Sequence, residues 1–420
     1  MRSVDIHING DRLASELETL ATFSAAPPPA VTRVVFSPED LAARSWFKQL
    51  CLDAALEVRE DAVGNTFARW TGDDAGLPPV GTGSHIDAIP YSGRYDGTVG
   101  VLGGLEAIRA LRRTGFRPKR SIELVMFTSE EPTRFGIGCL GSRLLSGATA
   151  VDAVRELKDR DGNTVEQVCH QAGFSGSLDS VRIEEGHYAA FIELHIEQGP
   201  HLERNRIPIG VVVSIAAPAS ARISIEGQGG HAGAVLMPDR HDAFLAAAEI
   251  ALTVEAAAKS TGAIDTVATT GVCNVFPGAV NSIPSRVEIE IDFRDTDLSR
   301  RDRVFDAIRA SSDDVARRRG VEVKLVLINA DRPAQSSPAI INAVTEACEQ
   351  HGLECVPMVS RAYHDTLFMS RIAPSAMIFI PCRGGVSHRP DEYASDVDIV
   401  NGTTILAHAL ARLCMVEQVS

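Results

Sequence analysis

From about Asp40 to Leu145 the chain alternates helical apolar patterns with short apolar runs, and this alternation limits its possible folds more than any other feature. DLAARSWFKQLCLDAALEV and GTVGVLGGLEAIRALRRTG have the spacing of amphipathic helices. PVGTGSHID and RSIELVMFTSEE contain runs too short for helices, and both end in polar residues. Helix and strand in turn build a sheet covered by helices, whose ligands gather beyond the carboxyl ends of the strands. His85 and Asp87 close one run, and Glu130 and Glu131 close the other. After about Pro333 the same texture returns with the helix PAIINAVTEACEQHG, the strand SAMIFIPC and a last helix from Asp396 to Leu413.

Between these stretches the pattern changes. ARISIEGQ alternates as a strand does, RHDAFLAAAEIALTVEAAAKS reads as a helix, and AIDTVATTGVCNVF and SRVEIEIDFRDT as strands. RRDRVFDAIRASSDDVARRRG is a second helix and VEVKLVLINAD another strand. Strand–helix–strand–strand–helix–strand is the order of a ferredoxin-like α+β domain. The expected fold is therefore α/β: a mixed-sheet domain with helices on both faces (residues 1–214 plus 331–420) and an inserted α+β domain (215–330). A chain of 420 residues is long enough for both. One continuous α/β domain is the alternative, and the changed element order favours insertion.

A formal net charge of −14 offers no positive field to nucleic acid or an anionic membrane, so neither is an expected partner. Eight scattered cysteines without a C-x-x-C pair read as reduced thiols rather than a disulfide frame or thiolate zinc site. MRSVDIHINGDRLASELETL lacks the apolar core of a signal peptide, and the cytoplasm is the expected location.

Five residues stand in polar turns at the ends of apolar runs: His85 in GTGSHID, Asp96 in GRYDG, Glu131 in FTSEEP, His195 in FIELHIEQGP and His388 in GGVSHRPDE. Imidazole and carboxylate donors without thiolate suit Zn²⁺ or Mn²⁺. Five ligands with one bridging carboxylate match two ions roughly 3.5–4 Å apart, with positions left for water and substrate. A single histidine is more often a surface or core residue; the recurrence beside acids and glycines favours metal. Glu130 and Glu131 are adjacent and project differently, so one can bind metal while the other moves a proton from water to a leaving nitrogen. A solvated acidic pair is the competing reading.

Glycine-rich GTVGVLGGLEAI lacks the features of a nucleotide loop, and its glycines are expected to let a helix pack closely beneath the metal loop. Ser84, Ser129 and Cys139 lack a triad context, and Cys139 reads as a small buried thiol. In the inserted segment His231 of GQGGHAGAVLMPDRHDA can serve a developing oxyanion. Asn281 of GAVNSIPS offers neutral hydrogen bonds, and Arg294 of DFRDTD a fork for a carboxylate. A turn asparagine, and an arginine paired with Asp292 or Asp295, are the structural alternatives.

Together, GSHIDAIPYSGRYDG, FTSEEPTRFG, ELHIEQGP, GGHAGAVLMPDRHDA, NSIPS and SHRPDEY resemble the two-metal amidohydrolases of the carbamoylase branch of the aminoacylase/carboxypeptidase superfamily. That branch holds carbamoyl-amino-acid, β-ureidopropionate, allantoate and ureidoglycolate hydrolases. AIPYSGRYDG, EEPTRFGIGCLGSRLLSG, SRAYHDTLFMSRIAP and MIFIPCRGGVSHRPDEY are most similar to the ureidoglycolate amidohydrolases. The resemblance implies that Asp96 bridges two divalent ions, that His85 and His195 complete one site, and that Glu131 and His388 complete the other. It further implies Glu130 as general base and then acid, and Asp87 as the acid that orients His85. Gln198, His231, Asn281, Arg294 and His364 would hold substrate. His231 would reach the partner active site of a homodimer, and the inserted domain would serve dimerisation and closure. The implied reaction is hydrolysis of ureidoglycolate to glyoxylate, ammonia and CO₂. A carbamoyl-L-amino-acid or allantoate substrate is the nearest alternative, and a non-catalytic metal-binding scaffold a more distant one.

Overall fold

The computed structural model describes residues 6–416. It divides into two compact units. One is built from the residues up to Val213, Gln335–Met358 and the residues from His364 on; the other from Ser214–Ala334 with Val359–Tyr363.

The first unit is organised on a nine-stranded mixed sheet. Its four central strands run parallel, in the order Ser375–Ile380, Ala190–Ile196, Val80–His85 and Ile122–Phe127. Every residue of these four strands is buried, so they read as mainly apolar and small-residue runs, broken inside by Glu123 and Glu193, as parallel strands covered on both faces do. Alternation along one strand sends side chains to two separate cores. Ile122, Leu124 and Met126 join one apolar cluster, and Val125 and Phe127 the other.

The helices Thr98–Arg113 and Asp396–Leu413 cover one face. Small residues let the first approach closely: a Cβ on Gly100 would lie 2.3 Å from the carbonyl oxygen of Leu194. The glycine run is thus a packing device, as expected. Thr66–Trp70 and Glu57–Glu60 extend the sheet antiparallel on one side, and Ile209–Ile215 on the other.

The second unit is a four-stranded antiparallel sheet in the order Val267–Phe276, Arg286–Asp295, Ala217–Glu226, Glu322–Ala330. Helices Ala243–Ser260 and Leu298–Arg319 complete the βαββαβ order. Asp242 and Asp297 cap the two helices through their side chains, and Gly320 ends the second in the left-handed conformation. Ile223, Ile250, Ile289 and Ile308 are among the residues of its core. Among the described residues no helix is long and apolar enough to cross a membrane.

Candidate metal centre

The chain enters the parallel core at Val80–His85, adds Ile122–Phe127 on one side and then Ala190–Ile196 on the other. Connections leave the first strand in opposite directions, which opens a crevice beyond its carboxyl end. His85 ends the first strand and His195 lies one residue from the end of its neighbour. Glu130 and Glu131 follow Ile122–Phe127, and the His388 turn follows Ser375–Ile380. Ser129, Cys139, Gln198 and His388 all have positive φ, so left-handed non-glycine backbone gathers around this crevice, as it does at functional sites.

Hydrogen bonds determine which imidazole nitrogen faces inward. His85 Nδ1 lies 3.0 Å from the carbonyl oxygen of Asp87, and His195 Nδ1 lies 2.9 Å from that of Ile196. A carbonyl only accepts, so each Nδ1 carries a proton and each neutral ring presents an Nε2 lone pair. Those Nε2 atoms face Asp96 Oδ1 at 3.5 and 3.2 Å. His388 Nε2 faces Asp96 Oδ2 at 3.4 Å and Glu131 Oε1 at 3.2 Å. Lone pairs converging on carboxylate oxygens repel unless a cation stands between them.

A proton on each Nε2 can take that place, and the electrostatics then give cationic rings around an ionised Asp96. Asp96 and Glu131 lift the His388 imidazole to about 11. Burial lowers the pKa of His85, but Glu130, Asp96 and Asp87 outweigh it and raise the group well above the usual value. Burial opposes ionisation of Asp96, yet hydrogen bonds from His195, His388 and His85 hold it well below the usual carboxylate range. Donor atoms of His85, Asp96 and His195 lie within 4.8 Å of one another, as do those of Asp96, Glu131 and His388. Asp96 is common to both sets, and nitrogen and oxygen donors of this kind fit divalent metal. The His388 side chain is 47% exposed and the His85 side chain 2%, so the crevice opens on the His388 side.

Glu130 is in neither donor set. Its Oε2 lies 3.7 Å from His85 Nε2, and burial raises its pKa well above the usual value. The Cys139 thiol, itself pushed up by burial and by Glu130, donates to Glu130 Oε1 at 3.3 Å. Asp87 orients His85 through its main-chain carbonyl oxygen; the carboxylate is 3.7 Å from His85 Nδ1. That carboxylate instead accepts the backbone N–H of Glu130 at 3.2 Å and of Glu131 at 3.1 Å. The turn after His85 points the Asp87 side chain at the neighbouring strand end, so one residue holds three others.

Gln198 donates to Asp96 Oδ2 at 2.6 Å, and its own carbonyl oxygen is buried without a partner. His364 is buried and meets the His195 ring edge-on at 4.5 Å. It forms a third donor group with Glu193 and His195.

His231, Asn281 and Arg294 belong to the second unit. His231 pairs with Ser282 in a short antiparallel ladder, and Ala232 N–H donates to the Asn281 carbonyl at 2.9 Å, so His231 and Asn281 are neighbours. Arg294 forks onto Asp292 at 2.8 and 3.2 Å, the pairing named above as its structural alternative.

Several buried acids carry no role in the sequence reading. Glu193, two residues before His195 on the same strand face, accepts from Ser84 Oγ at 2.7 Å and Thr366 Oγ1 at 2.6 Å. A charge inside the run FIELHI was a visible signal, because an acid there must be buried. Asp365 receives Ser142 Oγ at 2.5 Å while its Oδ2 has no partner. Burial and the neighbouring Glu193 push it up to about 8.

Ser387 Oγ lies 2.5 Å from Asp96 Oδ2 and 3.0 Å from Glu392 Oε2. One hydroxyl proton cannot serve both. Given to the nearer Asp96, it leaves Glu392 to supply its own, and burial with Asp96 nearby pushes Glu392 up to about 7.

Residues 81–412 match the model of peptidase family M20/M25/M40. The chain is 51% identical to a ureidoglycolate hydrolase of Oryza sativa subsp. japonica over 98% of its own length and 86% of that protein's. It is 34% identical to an N-carbamoyl-L-amino-acid amidohydrolase of Pseudomonas sp. (strain NS671), covering 97% of this chain and 99% of that one. The fold superposes on the crystal structure of AtUAH in complex with glyoxylate with a TM-score of 0.86 at 49% identity, covering 98% of this chain and 99% of that one. A polar crevice with donor sets for divalent metal, on a scaffold matched nearly end to end, leaves one assignment: the chain belongs to peptidase family M20/M25/M40.

Proposed function

We propose that this chain hydrolyses the terminal ureido group of a small carboxylate, taking ureidoglycolate to glyoxylate, ammonia and CO₂. The observation that carries the reading is Glu130, a buried acid beside the donor sets but in neither. A purely structural metal site has no use for it, which argues against a non-catalytic scaffold. The choice of ureidoglycolate follows the 51% identical relative and the glyoxylate held by the structural neighbour.

Two divalent ions of the Mn²⁺ or Zn²⁺ kind, held by His85, Asp96 and His195 and by Asp96, Glu131 and His388, would supply Lewis-acid polarisation of the ureido carbonyl and acidify water. Glu130 takes the proton from the attacking water and returns it to the departing nitrogen. Asp87 fixes the backbone of both glutamates, and the Cys139 thiol restrains Glu130. The His231 imidazole donates to the developing oxyanion in the partner's active site of a homodimer. Arg294 and Asn281 anchor the substrate carboxylate, with Gln198 and His364 completing its contacts; Arg294 exchanges Asp292 for substrate.

In this reading the first unit is the catalytic domain and the second the dimerisation and lid domain, in a cytoplasmic enzyme. Support for a dimer comes from the edge strand Val267–Phe276, which leaves Val272 38% and Phe276 54% exposed on an unpaired sheet edge. A carbamoyl-amino-acid or allantoate substrate is the second reading, favoured by the 34% identical relative.

Steady-state assays of ureidoglycolate, allantoate and a carbamoyl amino acid with Mn²⁺ test the proposal. Turnover of none refutes the enzyme, and preference for another substrate refutes only the choice of ureidoglycolate. Glu130→Gln is expected to keep the metals while turnover falls by on the order of 10²-fold or more; an active variant refutes the base.

A further inference from the structure

One side chain joins the loop carrying Asp96 to the loop carrying His388, and we propose that this residue, Glu392, is a positioning residue that keeps the metal donors in register. The inference rests on the metal reading above. Glu392 Oε1 accepts the backbone N–H of Tyr95 at 2.7 Å and of Asp96 at 3.1 Å. Its Oε2 lies 3.0 Å from Ser387 Oγ, which in turn lies 2.5 Å from Asp96 Oδ2. Glu392 therefore grips Asp96 twice, directly at its backbone and through a hydroxyl at its carboxylate.

Ser387 immediately precedes His388, so the same hydroxyl ties the Asp96 oxygen to the backbone that carries the next donor. Tyr95 and Glu392 stand 297 residues apart in sequence, so no local preference sets their distance. The Asp96 loop is shaped around this side chain: a Cβ on Gly93 would lie 2.3 Å from the Glu392 carboxyl carbon and Oε1. Beside it Tyr95 and Tyr393 meet edge-on at 5.9 Å, closing the same pair of loops with apolar contact. Glu392 belongs to neither donor set. Its effect passes through Asp96 and His388, which must split the two Asp96 oxygens between the two sets.

An amide has the same shape, can accept both backbone N–H groups through Oε1, and can donate to Ser387 through its nitrogen. Glu392→Gln is thus the conservative variant, while Glu392→Ala leaves two N–H groups and the hydroxyl without this partner. The test is calorimetric titration of the metal-stripped full chain with Mn²⁺, joined to kcat and KM for ureidoglycolate.

Glu392→Ala is expected to bind Mn²⁺ about 10–100-fold more weakly, as loss of an outer hydrogen-bond partner does at other metal sites. Its kcat should fall with KM changed far less, and Glu392→Gln should restore affinity to within about 3-fold of wild type. Ser387→Ala, which removes only the bridging hydroxyl, should weaken binding by about 3–10-fold and decides the matter if Glu392→Ala does not fold. Wild-type affinity in Glu392→Ala or Ser387→Ala, or equal losses in the Gln and Ala variants, overturns the inference. A wild-type chain that takes up neither Mn²⁺ nor Zn²⁺ overturns the metal reading itself and the inference with it.

Discussion

Gly97→Ala places one methyl group where the structure has no room for it. Gly97 sits between the bridging candidate Asp96 and the helix Thr98–Arg113, with φ 67° and ψ −42°. A side chain there costs about 1–3 kcal/mol in backbone strain alone. The new Cβ would also lie 2.4 Å from His85 Nε2 and Cδ2, where ordinary contact begins at 3.4 Å. The ring must therefore retreat by about 1 Å, or the start of the helix must lift by as much. The helix is anchored by Gly100 packed on the Leu194 carbonyl, so the ring moves, and Nε2 is the atom that faces Asp96. A displacement of about 1 Å at a reacting centre costs on the order of 10²-fold in rate, and a metal–nitrogen bond of roughly 2 Å tolerates only about 0.2 Å. The expected result is Mn²⁺ affinity reduced by about 10²-fold, with a metal-free chain less stable by about 1–3 kcal/mol. Calorimetric titration and chemical unfolding of the stripped protein measure the two separately. Wild-type values in both would refute the placement of the His85 ring against Gly97.

Metal removal by a chelator should abolish turnover and lower the melting temperature, and Mn²⁺ or Zn²⁺ should restore both, because ions bound only by the folded state stabilise it; an unshifted melt counts against the donor sets. Gly100→Ala should destabilise the fold by about 1–3 kcal/mol through overlap with a backbone oxygen that cannot turn aside, checked by urea unfolding. Asp365 is lifted from the usual aspartate value of about 4 to about 8 by burial and the neighbouring Glu193. Its folded pKa is the higher one, so the folded chain retains a proton that the unfolded chain releases between these values. Stability of the metal-free wild type should fall as pH rises from about 4 to 8, by up to several kcal/mol relative to Asp365→Asn. Parallel pH profiles of the two proteins would remove the neutral carboxyl.

The parts of the site legible in the sequence share one physical cause. Parallel strands buried on both faces admit few charged residues along their length, so His85 and the pair Glu130–Glu131 stand out where such runs stop. His195 betrays itself one residue before its run ends. The βαββαβ order of the second unit is legible because its strands alternate and its helices carry Asp caps at their N-termini. The pairings between loops are not legible. SHRPDEY looks like a solvated turn, yet Glu392 is buried and bound to Tyr95 and Asp96, 297 and 296 residues away. Asp87 shows the same limit, since its carboxylate is committed to Glu130 and Glu131, 43 and 44 residues away. Nothing within reach of Asp87 in the sequence distinguishes that use from a direct bond to His85. Local pattern therefore finds the donors, because each lies near or beyond a strand end or, for Asp96, at the entry to the helix Thr98–Arg113. It misses the groups that aim them, because those act only once four strand ends have been brought together.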